Sequence, residues 1–155
     1  QPKAGDLLLG THGRGVYKTN IAHFQKMNAS KMKQPIVLYK IKDVKHSMRW
    51  GNTFRAWSKV LEPSIDINFY VNKIGEQTIK ILSQNNSELS QIMIKADKGF
   101  NTVEYDLSIS DKAKKILMKE NTSVKIDKVD NGKYYLPKGV YTVKIGAEKT
   151  VFEIN

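Results

Sequence analysis

Ser64–Val71 reads SIDINFYV. Ile65, Ile67, Phe69 and Val71 fall at alternate positions, with Asp66, Asn68 and Tyr70 between them. Side chains of a strand alternate between two faces, so this segment predicts a strand with one apolar and one polar face. Such a strand needs neighbours in a sheet and a second layer over its apolar side.

The same period recurs on both sides of it. Gln77–Leu82 turns Ile79 and Ile81 one way, and Gln91–Ile94 does so with Ile92 and Ile94. Thr102–Leu107 offers Val103, Tyr105 and Leu107, Val140–Ile145 offers Tyr141, Val143 and Ile145, and Thr150–Ile154 offers Phe152 and Ile154. Ile36–Ile41, IVLYKI, is the first strand of the series. Between the runs lie the turn clusters Asn72-Lys73-Ile74-Gly75, Asn85-Asn86-Ser87, Asp97-Lys98-Gly99 and Gly146-Ala147-Glu148. Strands at this spacing, joined by hairpin turns, predict an all-β, immunoglobulin-like or fibronectin III-like antiparallel sandwich over residues 36–155. One segment breaks the pattern. In Ser110–Lys119 the serine is placed to cap, and Ala113, Ile116 and Leu117 share a helical face, so a short helix is expected, then a loop through Asn131-Gly132. Tyr134 and Tyr135 read as strand residues.

Toward the N-terminus, Asp6–Asn20 reads DLLLGTHGRGVYKTN. Two β-prone runs flank a glycine cluster, which is a hairpin pattern. An isolated hairpin is marginal in water, so residues 1–20 look like the end of something larger. Residues 21–35 are polar and lysine-rich and form a linker, in which Ile21, Phe24 and Met27 have the spacing of a short helical turn docking on a neighbour.

Asp6, Leu7, Leu8, the run Gly10-Thr11-His12-Gly13-Arg14-Gly15, and Tyr17 resemble the closing strands of a β-propeller of the bacterial-neuraminidase-repeat, sortilin-like "glycosyl hydrolase" group. In the second half, GFNTVEYDLS (Gly99–Ser108) and LPKGVYTVKI (Leu136–Ile145) resemble two strand motifs of the flagellar-hook-cap-type immunoglobulin-like domain that follows such propellers. Tyr105 stands where that pattern has tryptophan, and Lys138 is inserted between Pro137 and Gly139. The resemblance implies a non-catalytic C-terminal module of a secreted, periplasmic or cell-envelope bacterial protein. Its partner would be the upstream propeller of the same polypeptide, and its parent would carry the glycosyl hydrolase label. Universal stress proteins share a glycine string of this kind around nucleotide phosphates. Their spacing then requires a second Gly-Ser or Gly-Thr pair, and His23-Phe24 stands there instead, which argues against nucleotide binding.

The 155 residues carry 26 Lys and Arg against 15 Asp and Glu, a formal charge of +11. Only Arg14, Arg49 and Arg55 are arginines, and the lysines are dispersed, a pattern of solvated surface rather than nucleic-acid recognition. No apolar run approaches the ~20 residues of a spanning helix, so no membrane insertion is expected. Cysteine is absent, which excludes disulfides and thiolate metal sites. The chain opens on Gln1-Pro2-Lys3 without a leader pattern, which in a segment of a larger protein says nothing about export.

No cofactor or metal is expected, since His12, His23 and His46 lack the short spacing of a zinc site. His12 reads as a turn residue and His46 as a surface one. Glycoside hydrolysis needs two carboxylates at a defined separation, and Glu62, Asp66, Glu76, Asp97, Glu104 and Asp106 show no recognisable pairing. Asp106 is expected to bond backbone at a strand end, and this chain alone is not expected to be an enzyme.

The sharpest site is aromatic. MRWGNTFRAW brings together Trp50, Phe54, Arg55 and Trp57. These residues would serve either as an interdomain or core-edge contact or, alternatively, as a platform for a carbohydrate, since exposed rings stack on sugars. Packing is preferred, because large aromatics dominate cores and interfaces. A further alternative is a C-terminal secretion or sorting domain, whose Gly-x-Tyr-x-Val strand and terminal lysines match Gly139–Lys149.

Overall fold

The computed structural model describes residues 5–11, 15–53, 57 and 59–155. Strands β1 (Asp6–Thr11) and β2 (Gly15–Asn20) form a hairpin, followed by two single-turn helices, α1 (Ala22–Gln25) and α2 (Ala29–Met32). Then come β3 (Ile36–Leu38), β4 (Ile65–Val71), β5 (Gly75–Leu82), β6 (Glu88–Ala96), β7 (Gly99–Tyr105) and β8 (Ser108–Ile109). Helix α3 (Asp111–Glu120) precedes β9 (Tyr134–Tyr135), β10 (Gly139–Ile145) and β11 (Glu148–Ile154).

The protein is mostly β, built on antiparallel sheets. A three-stranded sheet, β3-β4-β7, and a four-stranded one, β11-β10-β5-β6, contribute to one apolar cluster. Ile65, Ile67 and Phe69 come to it from β4, Ile79 and Ile81 from β5, Val143 and Ile145 from β10, and Phe152 and Ile154 from β11. These are the residues that the period-two reading turns inward. Two hairpin turns have a residue of positive φ: Asn86 between β5 and β6 takes φ +62° and Gly146 between β10 and β11 takes φ +57°. Strand β8 pairs with β9, and Ser108 lies opposite Tyr135.

The helix forms where expected. The Ser110 hydroxyl accepts from the Ala113 amide at 3.3 Å, and Ala113 and Leu117 are buried with Ile116 packed beside them. At the other end of α3, the Glu120 carboxylate accepts from the hydroxyls of Ser83, at 3.0 Å, and Ser87. These two bonds pin the helix to the β5–β6 turn.

Two expectations are corrected. The first strand ends at Leu38 instead of Ile41, because the chain changes sheets there. Val44 bridges Ile154 in parallel, its amide donating to the Glu153 carbonyl at 2.8 Å. Tyr70, expected on the wetted face with Asp66 and Asn68, is only 9% exposed. It belongs to a second small core with Val37 and Tyr39, against which Met27 and Phe100 pack. The α1–α2 segment lies against this outer face: the Phe24 ring is 4.2 Å from that of Phe100, and the Tyr39 hydroxyl reaches the Met27 sulfur at 4.0 Å. The spacing of Phe24 and Met27 thus corresponds to a real docking, made by two helical turns in addition to the one expected helix.

Candidate functional site

The tryptophan loop leaves the sheets after the Val44 bridge and returns at Leu61. Its base is sewn to the segment before β9. The Gly51 amide donates to the Leu61 carbonyl and the Asn131 amide to the Gly51 carbonyl, each at 2.9 Å. The Thr53 amide donates to Asp130 Oδ2 at 2.8 Å. Gly51 takes φ +68°, and a Cβ there would lie 2.3 Å from Val129 Cγ2 and 2.7 Å from the Tyr135 ring. Only glycine lets the backbone come this close.

That close approach buries Trp50, which is 5% exposed and packs between His46, at 4.8 Å, and Tyr135, at 6.2 Å between ring centroids. Trp57 is 82% exposed. The two tryptophans therefore do not share a platform: one is a core residue and the other is in solvent. Trp50 takes the core form of the packing expectation, whereas the exposed Trp57 has the form expected of an interdomain contact or of a sugar platform. Phe54 and Arg55 lie outside the described residues. His46, expected at the surface, is half-buried against Trp50; burial, then the charge of Lys138, holds its imidazole below the ordinary value.

Beside the loop base is a shallow cleft of about 450 Å³ edged by Glu62, Glu104 and Asp106. Lys133 Nζ reaches Asp106 at 2.9 Å and Glu62 at 3.2 Å. Asp106 also accepts from the Ser108 hydroxyl at 2.6 Å and the Ser108 amide at 3.1 Å, the strand-end role expected of it. Burial pushes the Asp106 carboxyl up, but the bonds from Ser108 and Lys133 outweigh it and hold the group below the usual range. The same bonds, to Asp106 and then Glu62, push the Lys133 ammonium up. Tyr105, whose phenol is raised by burial and by the charge of Asp106, donates to the Ser108 carbonyl at 2.6 Å. A carboxylate held ionised in this way is a hydrogen-bond acceptor, not a reservoir of protons for general acid chemistry near neutral pH. Among the described residues no cluster of His, Asp and Glu is arranged to hold a metal ion. His12 and the side chain of His23 lie outside the description.

The hairpin is the other unusual surface. Its register sets Leu9 opposite Tyr17 and Leu8 opposite Lys18. Leu7, Leu9 and Tyr17 therefore line one face, and Leu8 and Val16 the other. All five are exposed, Val16 at 73% and Tyr17 at 57%. Among the described residues, strands β1 and β2 pair with each other and with no further strand. The second face also carries the Asp6–Lys18 ion pair, at 2.8 Å, so exposed apolar side chains lie on both faces with one charged pair among them.

No protein-family model matches the chain, and no curated protein matches it significantly. The sequence reading missed the Glu62–Lys133–Asp106 bridge, whose members are distant along the chain and carry no local signal. It also treated Trp50 and Trp57 as equivalent; the glycine directly after Trp50 was the clue that separates them.

Proposed function

We propose that the chain is a non-catalytic C-terminal accessory domain of a larger secreted bacterial protein of the sortilin-like glycosyl hydrolase type, and that its sandwich packs on or extends an upstream β-propeller. The observation that carries this reading is the hairpin with exposed apolar side chains on both of its faces. In a propeller each blade is a small sheet flanked by neighbouring blades, so its strands are covered on both sides. Leu7, Leu8, Leu9, Val16 and Tyr17 have the pattern such a position requires.

The finer fold that goes with it is an immunoglobulin-like sandwich of the fibronectin III type. Three strands face four, in the order β3-β4-β7 against β11-β10-β5-β6. The sheet change that pairs Val44 with Ile154 supports it. So does Tyr141, which bonds back to the backbone just before β10 as a tyrosine corner does.

The test compares amide hydrogen exchange at residues 7–9 and 16–17 in this chain and in a longer product that includes the coding sequence upstream. Strong added protection in the longer protein is the expected result. Equal exchange in both would sink the propeller reading. A second reading, contact with a glycan, rests on the exposure of Trp57 alone. It predicts saturable binding of a neutral oligosaccharide that Trp57→Ala removes without loss of fold.

A further inference from the structure

We propose that the outward face of the four-stranded sheet is a docking surface for an acidic polysaccharide, held by a cross-strand row of three lysines. The antiparallel register sets Lys144 of β10 directly opposite Lys149 of β11 on one side and Lys80 of β5 on the other. All three point away from the core, because their neighbours Val143, Ile145, Ile79 and Ile81 are the buried positions of β10 and β5. Two inter-strand spacings place the first and third lysines about 10 Å apart.

This arrangement carries a cost that is offset only in part. Like charges directly opposite each other destabilise a sheet. Lys80 has a counter-ion, Glu88, at 2.7 Å. Among the described residues Lys144 and Lys149 have no ion pair. Lysines on edge strands are a common guard against edge-to-edge aggregation. However, β10 and β5 are the two inner strands of their sheet, so that reason does not apply to Lys144 or Lys80.

The same face carries Glu88 beside Lys80, and Glu76 and Glu153 further along β5 and β11; with +11 on the whole chain, charge complementarity makes the occupant of the lysine row anionic. The chemistry of the face narrows it further. None of the outward residues of these four strands is aromatic or arginine, so nothing is offered for stacking bases or for bidentate grip on phosphate. Lysine meets a single carboxylate or sulfate as a point charge. The row continues into Gln91, opposite Lys80, and Thr142 lies on the same outward face of β10, giving amide and hydroxyl partners for sugar hydroxyls. A linear glycan with acidic groups at regular intervals, lying across the strands, fits this order of groups. The surface uses no residue of the tryptophan loop or the hairpin, so it stands or falls apart from the proposal above.

The test measures binding of polygalacturonate oligomers to the full 155-residue chain at low salt, with neutral dextran, a single-stranded oligodeoxynucleotide and phosphatidylglycerol vesicles in parallel. Two triple variants are compared. One is Lys80→Thr, Lys144→Thr, Lys149→Thr. The other removes the same charge from the exposed side of α3, as Lys112→Gln, Lys115→Gln, Lys119→Gln. Saturable, salt-sensitive binding of the polyuronate is expected. It should weaken roughly tenfold in the sheet variant, as losing three exposed charge contacts implies, and only slightly in the helix variant. The sheet variant should melt no lower than the parent. The proposal is overturned by absence of binding, by equal loss in both variants, by tighter binding of the oligonucleotide, by binding of vesicles alone, or by a marked drop in melting temperature of the sheet variant.

Discussion

The hydroxyl of Tyr141 donates to the carbonyl oxygen of Pro137 at 2.8 Å. Its ring lies 5.6 Å from that of Phe152, and burial, then the charge of Glu120, raises its phenol. The bond ties the approach to β10 back onto the strand itself. Tyr141→Phe keeps the ring and deletes the donor. It should cost about 1–2 kcal/mol, the value of a hydrogen bond whose partner is left behind in a partly buried place. Urea unfolding of the variant should show a lower midpoint at unchanged slope; an unchanged midpoint would mean that the bond contributes nothing.

The centre of the core should respond most strongly. Ile67 and Phe69 have no exposed area. Replacing either with alanine should cost roughly 2–5 kcal/mol, from lost transfer energy plus the cavity. Asn68, between them, points outward and accepts from the Thr102 hydroxyl at 2.7 Å, so Asn68→Ala should cost under about 1 kcal/mol. Chemical denaturation of the three variants tests the strand register directly.

The tryptophans should behave as two different residues. Trp50→Ala should lose about 3–5 kcal/mol as a buried aromatic, and Trp57→Ala should stay within about 0.5 kcal/mol of the parent. Iodide should quench Trp57 fluorescence and spare Trp50. Equal quenching of both rings would contradict the burial described for this loop.

Truncation should separate the arm from the linker. Removing residues 1–20 leaves Phe24 and Met27 on Phe100 and Tyr39, and stability should hardly change. Removing residues 1–34 strips that cover and should cost about 1–3 kcal/mol of apolar burial, with unfolding still cooperative. Calorimetry on the two shortened chains distinguishes them; equal melting points would show that the second small core adds nothing.

His46 supplies a pH dependence. Its pKa in the folded protein lies below the ordinary 6.5. Between those two values the unfolded chain binds more protons than the folded one, so stability rises with pH. The contribution is complete above pH 6.5 and is lost as the pH falls toward the folded-state value. Melting curves from pH 7.5 down to 5 should fall for the parent and flatten in this window for His46→Gln. Parallel curves would remove His46 as the source.

How much of this could be read in advance depended on range. Ile65, Ile67 and Phe69 were legible because period two is a local property of eight residues. The Ser110 cap was legible for the same reason. Tyr70 was not, because its cover comes from a linker far upstream that the alternation of β4 cannot register. Trp50 and Trp57 look alike in sequence, and their difference is made by Val129 and Tyr135, which reach Gly51 only in three dimensions. The lysine row is invisible until strand pairing is known, since Lys80 and Lys144 become neighbours only through the β5–β10 register.

The sheet change after Leu38 has a mechanical side. Val44 and Ile154 run parallel, and the bonds from the Val44 amide to Glu153, the Asn155 amide to Val44 and the His46 amide to Asn155 lie side by side. Tension applied between residue 43 and the chain end pulls these two strands in opposite directions along their length. All three bonds are then loaded at once, in shear, instead of opening one after another like a zipper. A module placed between an anchored body and a free end would thus resist stretching at its outermost seam, with the core beneath it left undisturbed until that seam gives way.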